Sequence, residues 1–503
     1  MNKKSKIQSL DLCRPPSVSR ETNPPPKSPN VSRETLYRQY AAAQFSNFNM
    51  GWNPANATVN EEIESSSVVM RARIRQLVRD NPHFSNAVMI SSAYIVGSGI
   101  AYQSKVVDAE GNLQKKINQY IEDKYNWFLD GMDIAGRLHG YDFQDLDIRQ
   151  TCENGEFLNI RHIDRKSEMP LKYQAVEPDS LAGYATGQGK TNEISQGIEY
   201  NPHTYQAFRY HFIDDTGKDY SKPADQIVHG FHSLRPNQLR GISPWASGVL
   251  LADAFRQYIG SELQRKAMAA RYLGIVQSPN IDRWQGDLIE SSKDPYPKLE
   301  GIENASMLYT NLGETVTFPT PPNDSGIADM SKLMLEMYSV ACGGLPYELI
   351  SGDYGSMSFS TAKIKRTDFK TTLKPVIARF CRQQCEPIKR DFFRFGVLSG
   401  YLDLPGYWDN PQFYEKGVWQ SPGMEPVDLM REVKATIDEI KARLRSPQEY
   451  IRSRGADPEK VLAEIAEFKE MAEDKGLTYE EAVEDISTMM QQNPAKLDEV
   501  GKK

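Results

Sequence analysis

Apolar residues return every three or four positions along most of this chain, and one central region trades that helical period for alternation. Leu36, Tyr37, Tyr40 and Phe45 predict a short helix over 35–48. A strongly charged helix is predicted over 68–81 and ends at Asn81-Pro82, because a residue before proline is pushed out of helical geometry. Further helices are predicted over 84–96, closed by Gly97 and Gly99, and over 114–129, with Trp127 and Phe128 on the apolar side. Another runs from Phe143 through Ile148 towards Glu153. From Phe157 the period falls to two, and 157–162, 172–176, 197–200, 207–212 and 226–232 read as short strands parted by turn residues, a β-rich region of about 80 residues.

Helix returns after Gly241-Ile242-Ser243-Pro244, where Ser243 is placed to cap and Pro244 to sit in the first turn. Leu251, Phe255, Tyr258, Ile259, Leu263 and Ala267 keep helical spacing to about residue 272, a rod of roughly 40 Å at ~1.5 Å per residue. Strand-like pieces follow at 274–277, 306–310 and 315–318, then Pro319, Pro321 and Pro322. A helix over 328–342 breaks at Gly343-Gly344, a polar glycine-punctuated loop follows, and a long helix runs over 359–395. Pro375 lies inside that last helix and predicts a kink near Thr371. Residues 428–490 read as acidic helices, and 457–503 carries thirteen Asp or Glu against six Lys or Arg. No internal repeat of 20–50 residues is present.

At 503 residues the chain exceeds one ordinary core and predicts several packed regions. No apolar run approaches the ~20 residues that span a bilayer, and the polar, proline-rich start predicts no secretory signal. Five scattered cysteines argue for a reducing compartment, with Cys381 and Cys385 read as buried apolar side chains on a helix. The net charge of −7 opposes the general collection of nucleic acid. Residues 1–38 depart from that balance: they are basic and rich in proline, and read as a disordered arm.

The chemistry-bearing words have plainer readings. Gly183-Tyr184-Ala185-Thr186-Gly187-Gln188-Gly189-Lys190-Thr191 is one residue too long for a phosphate loop and lacks the flanking strand and helix that would aim backbone N–H groups at phosphates. Ser360-Thr361-Ala362-Lys363 matches the Ser-x-x-Lys of acyl-transferring enzymes without its companion motifs, so a helix N-cap by Ser358 or Ser360 is the ordinary reading. His229 and His232 fall on opposite faces of a strand. Asp214-Asp215 and Glu480-Glu481 read as solvated turn and helix charges, and Arg71, Arg73, Arg75 and Arg79 as a salt-bridged helix face. No catalytic residue, cofactor or metal is expected.

Several words stand in one order along the chain. They are the Arg71–Pro82 stretch, Ile95-Val96-Gly97-Ser98-Gly99-Ile100, Gly155-Glu156-Phe157, Glu177-Pro178-Asp179, Gly197-Ile198-Glu199, the run from His229 through Arg235-Pro236 to Gly241-Ile242-Ser243-Pro244, the 343–365 segment and Arg454-Gly455-Ala456-Asp457. Together they resemble the lambda-type family of tailed-phage portal proteins over roughly residues 37–477. The resemblance implies an α+β portal fold, assembled as a ring, usually of twelve subunits, at one capsid vertex. Its parts would be a wing over 39–243, stem helices at 244–272 and 328–343, a clip at 273–327, a tunnel loop at 344–360, a long helix and wing return at 361–427, a crown at 428–490 and a tail at 491–503. Asp353, Tyr354, Ser356, Met357 and Ser358 would face double-stranded DNA, with Lys363, Lys365 and Arg366 as sparse cations close to the channel. The implied partners are further copies of the chain, DNA held without sequence preference, the terminase large subunit, a head-tail connector, and major capsid and scaffold proteins. The implied location is the virion, after assembly in the host cytoplasm, with no membrane. A different ring-forming head-tail protein and a nucleotide-hydrolysing packaging component are the alternatives.

Overall fold

The computed structural model describes residues 56–108, 110–182, 187–188, 192–271, 275–277, 315–317, 326–355, 358–423, 429–474 and 478. From Thr58 onward the chain is one compact unit of mixed α+β class. The predicted arm, the helix over 35–48, the strand over 306–310, Glu480-Glu481 and the tail over 491–503 lie outside the described residues.

Helix α1 (Val59–Asp80) starts earlier than its apolar period suggests, because a capping box opens it. The Thr58 hydroxyl accepts from the Glu61 N–H at 3.4 Å, and the Glu61 carboxylate accepts from the Thr58 N–H at 2.9 Å. Asn81 then ends α1 and caps α2 (Pro82–Ile95), accepting from the His83 and Phe84 N–H groups, with Pro82 in the first turn where no N–H is needed. A short strand β1 (Ala101–Ser104) leads to α3 (Lys115–Asp130) and α4 (Gly140–Asn154). On α3 Phe128 is buried as expected, but Trp127 is 65% exposed, with the Lys124 ammonium over its ring.

Among the described residues eight strands account for the β region. β2 (Glu156–Ile163), β3 (Leu171–Val176) and β9 (Ile227–Phe231) form an antiparallel sheet in the order β3-β2-β9. β4 (Gly187–Gln188), β5 (Glu193–Ser195), β6 (Ile198–Tyr200), β7 (Ala207–Ile213) and β8 (Asp219–Pro223) form a second, five-stranded sheet in chain order. Within this second sheet, β4, β5 and β8 are absent from the sequence reading; they are short and polar, and β6 and β7 supply the ladder on which they build.

Helix α5 (Val249–Arg271) begins later than Ser243-Pro244 predicted. The Ser243 hydroxyl donates to the Cys152 carbonyl at 2.5 Å and accepts from the Trp245 N–H at 3.2 Å, so it ties the loop to the end of α4 instead of capping α5. β10 (Ile275–Gln277) and β11 (Thr315–Thr317) pair antiparallel, and α6 (Ile327–Ala341) and α7 (Tyr347–Ser351) follow. Helix α8 (Phe359–Phe380) carries Pro375 without ending there. The departure from α-helical geometry comes later, as a π turn over Cys381–Cys385, before α9 (Glu386–Ser399). The extra residue of that turn turns Gln384, Cys381 and Cys385 inward, while Gln383 Nε2 donates to the Phe231 carbonyl at 2.8 Å. The remaining elements are α10 (Pro411–Tyr414), β12 (Gly417–Gln420), which pairs with β1, and helices α11 (Leu429–Lys441), α12 (Pro447–Ser453) and α13 (Pro458–Asp474).

The larger core joins α2, α3, α4 and α9 around Phe84, Ile121, Phe143, Phe392 and Phe393, all essentially inaccessible. A smaller one, with Leu158, Ile160, Ile198 and Phe212, fills the space between the two sheets. At ~1.5–3 kcal/mol for each fully buried large side chain, these two cores are the main favourable term holding the helices to the sheets. The four described cysteines, Cys152, Cys342, Cys381 and Cys385, are free and buried. Among the described residues no helix is long and apolar enough to cross a membrane.

Candidate functional site

The segment after α6 is built from turns that a glycine alone accepts easily. Gly343 and Gly344 hold φ of +84° and +77°, so the chain reverses within two residues and plants Leu345 in the core. Pro346 opens the one-turn helix α7, whose last carbonyls are claimed by the wall behind it. Asn86 Nδ2 donates to the Leu349 carbonyl at 2.9 Å and to that of Ile350 at 3.2 Å, and His83 Nδ1 lies 3.3 Å from Ile350 O. The foot of the loop is thereby fixed to α2.

Beyond Gly352 the anchoring stops. Asp353 accepts from the Gly355 N–H at 3.1 Å and receives the Tyr347 hydroxyl at 3.4 Å, both contacts within the loop's own foot. Tyr354 is 55% exposed. Ser356 and Met357 lie outside the described residues. Ser358 caps α8, accepting from the Thr361 N–H at 3.3 Å, so the capping reading of this serine holds. Lys363 is exposed, Arg366 is half-buried, and Lys365 is ion-paired with the buried Glu348 of α7, which subtracts one cation from the three expected. Over its length α8 holds six Lys or Arg against one Asp, against the sign of the whole chain.

Preceding that loop, α6 is apolar on two sides. Met334, Leu335 and Tyr338 face the core, whereas Met330, Leu333, Met337 and Val340, spaced three, four and three apart, are 43%, 51%, 53% and 75% exposed. That second stripe is legible in the sequence once the first is assigned to the core; reading the helix as a single amphipathic face hid it.

The other words singled out in the sequence meet in the interior. The Arg71 guanidinium bonds Asp179 at 2.9 and 3.1 Å, and Arg75 reaches Asp179 at 2.5 Å and Asn154 at 2.9 Å, so the Arg-rich helix and Glu177-Pro178-Asp179 are two halves of one contact. Burial raises the Asp179 carboxyl, and the two guanidiniums outweigh it and hold it below the usual range. Glu156, wholly buried, accepts from Arg240 Nε at 2.8 Å and Nη2 at 2.5 Å and from the Gly241 N–H at 2.7 Å, with His229 Nε2 at 3.1 Å. Arg240 donates its remaining groups to the Gln196 and Pro178 carbonyls at 2.9 and 3.1 Å, and the Tyr210 hydroxyl lies 3.1 Å from His229 Nδ1. Burial pushes the Glu156 carboxyl up, but Arg240 and His229 win and hold it far below the carboxylate range. The backbones meet here without a side chain between them: a Cβ on Gly155, at φ +90°, would lie 2.1 Å from the Ile242 carbonyl carbon, and one on Gly241 would lie 2.2 Å from Gly155 O. This Arg–Glu–His constellation is buried and joins the two sheets to the end of α4.

A second buried acid behaves oppositely. Asp147 is inaccessible and accepts from Asn159 Nδ2 at 2.6 Å, while Asp147 Oδ1, Asn159 Oδ1 and Gln384 Oε1 have no donor. Burial raises its carboxyl well above the usual range, with Asn159 and Gln384 opposing only in part. The phosphate-loop look-alike lies mostly outside the described residues, its Gly187-Gln188 forming β4. Asp214 closes its own turn by accepting from the Thr216 and Lys218 N–H groups. Among the described residues no group of three or more His, Cys, Asp and Glu side chains could hold a metal ion.

Against known proteins, residues 45–375 match the family model described as "Phage portal protein, lambda family". The chain is 24% identical to the "Probable portal protein" of Halomonas phage phiHAP-1, over 89% of each chain. It is 21% identical to the "Portal protein" of Escherichia phage N15, over 82% of this chain and 86% of that one. It is 19% identical to "Portal protein B" of Escherichia phage lambda, over 86% and 90%. Among solved structures it is similar to a chain in "Neck of empty GTA particle computed with C6 symmetry", at 15% identity and a TM-score of 0.46 over 77% of this chain and 93% of that one.

Proposed function

This chain belongs to the lambda family of phage portal proteins, and from that premise we propose that its copies close into a ring, twelve by the family resemblance, around a channel for double-stranded DNA at one capsid vertex. In this reading the ring admits the genome during packaging, retains it and releases it on infection. It docks the terminase large subunit and later the head-tail connector through 273–327, and major capsid and scaffold proteins around its wing.

The observation that carries the ring is the second apolar stripe of α6. Met330, Leu333, Met337 and Val340 have no cover among the described residues. Burying half-exposed side chains of this size is worth about 1 kcal/mol each, repeated at every junction of a closed ring. The loop supports the channel. Tyr354 offers polar surface without charge, and with Lys365 neutralised by Glu348, Lys363 and Arg366 are the cations of the proposed set left per copy. Each phosphate gripped by Lys or Arg strengthens binding by counterion release, and six to ten such grips change affinity by roughly 10³–10⁵ between 50 and 200 mM salt. A conduit works with fewer grips, so that duplex slides.

Negative-stain images of the purified protein test this first: rings with a hole of duplex width are expected, and a chain that stays monomeric at high concentration and with scaffold overturns it. Deleting 353–358 is expected to leave rings intact and impair packaging and DNA retention. Substitutions within 280–320 are expected to weaken terminase or connector binding while rings still form. ATP-stimulated turnover by the purified protein would favour the packaging motor instead.

A further inference from the structure

A cleft of about 390 Å³ opens between β9 and α9, lined by Arg161, Arg390, Arg394, Phe395, Leu398 and Trp408. Its floor is neutralised: Arg161 bonds Asp391 at 2.9 and 3.0 Å and Asp225 at 3.2 Å. Its rim is not. Arg390 and Arg394 are exposed, with no ion pair among the described residues. With Leu398 they repeat every four positions, which stacks them in one row along α9. Leu398 is 71% exposed and Trp408 59%, so two large apolar side chains stand in water beside two unpaired cations, on a chain whose net charge is −7. Trp and Arg are the residue types that anchor protein contacts.

The complementary surface is on the same chain. Helix α13 holds six Asp or Glu against two Lys, and only Pro458 and Ala472 are buried in it. Leu462, Ile465 and Met471 are 56%, 42% and 50% exposed. With its apolar side chains in water, α13 is not seated in the cleft of its own chain; its first turn is tied elsewhere, by Glu459 to Lys105 at 3.4 Å.

We infer that α13 of one copy docks in the Arg390–Arg394–Trp408 cleft of the next, its leucine, isoleucine and methionine covering Leu398 and Trp408 and its acids, Glu464 and Glu467 first, meeting the two arginines. The inference rests on the ring reading and adds a contact to it. A closed ring of more than two copies needs a head-to-tail junction between two unlike patches of one chain, and an acidic apolar helix and a basic apolar cleft are such a pair. Apolar burial supplies the affinity, and the charges set partner and orientation.

Charge exchange on the full-length chain tests it, with ring assembly followed by native mass spectrometry and fold by circular dichroism. R390E/R394E and E464K/E467K are each expected to raise the concentration for half-assembly at least tenfold, and the chain carrying all four changes to recover most of that loss. Assembly of R390E/R394E at the wild-type concentration overturns the contact, as does a fourfold variant no better than either pair. A photo-crosslinking residue at position 408 gives a second readout in a mixture of isotopically light and heavy wild-type-background rings. Crosslinks from one copy to 458–474 of another are expected; crosslinks within one copy, or to an added acidic partner protein alone, overturn it. If the wild-type chain itself forms no ring, the ring reading falls and this contact with it, an outcome distinct from normal rings that ignore the charge reversal.

Discussion

The junction at Gly155–Gly241 and the loop from Gly343 to Ser358 use the same vocabulary of glycine, serine, arginine or lysine, and an acid, yet they end in opposite environments. At the junction the glycines bring two backbones into contact, and every polar group of Glu156 and Arg240 finds a partner out of water. In the loop Gly343 and Gly344 reverse the chain, the foot is fixed through Asn86, and beyond Gly352 Tyr354 stands in solvent. A charged or glycine-rich word in this sequence is therefore not a sign of chemistry. Burial with full pairing makes it framework, and exposure leaves it as surface.

The strongest way to break the contrast is to place a methyl group in the junction. Gly155→Ala puts a Cβ against the Ile242 backbone at a positive φ and is expected to abolish soluble folded protein, whereas Gly355→Ala in the loop, where the nearest atom would be 3.5 Å away, is expected to leave the melting temperature unchanged. Next in size, Arg240→Ala strands a buried carboxylate and is expected to cost about 3–5 kcal/mol, read by chemical denaturation; an equal loss for Lys365→Ala would erase the distinction.

The two buried acids sharpen the comparison through pH. Glu156 has a folded pKa below its unfolded value, so its contribution is present above the unfolded value of about 4.3 and disappears as pH falls below it. Glu156→Gln is expected to flatten the acid limb of stability while lowering the plateau. Asp147 has a folded pKa above its unfolded value, so its contribution is full below about pH 4 and is lost as pH rises. Asp147→Asn is expected to raise the melting temperature at pH 8 relative to wild type, since an amide donor can serve the orphaned oxygens of Asn159 or Gln384. A lower melting temperature at pH 8 would mean the carboxylate is charged and paired in the fold. The smallest effect belongs to the loop's own cap: Ser358→Ala is expected to cost about 1 kcal/mol, confined to faster hydrogen exchange in the first turn of α8.

Much of this was legible beforehand. The periods of α2, α3, α5 and α6, the Asn81-Pro82 boundary and the five main strand runs follow from local rules that act within a few residues, and the order of words from Arg71 to Asp457 resembled the family that residues 45–375 match. The start of α1 was also local, in the Thr58 and Glu61 capping box, but its polar first turns hid it from a search for apolar spacing.

What the sequence determined by itself was therefore the kind and approximate extent of the longer elements, the outward polarity of the loop and the family, because backbone propensity, capping and apolar period are short-range. The pairing of Arg71 with Asp179 and of Glu156 with Arg240, the placement of the helical irregularity at Cys381–Cys385 instead of Thr371, the loss of Lys365 to Glu348, and the exposure of Trp127 were decided by tertiary structure. Each of these depends on which groups lose water together, and that is set by contacts between segments far apart in the chain.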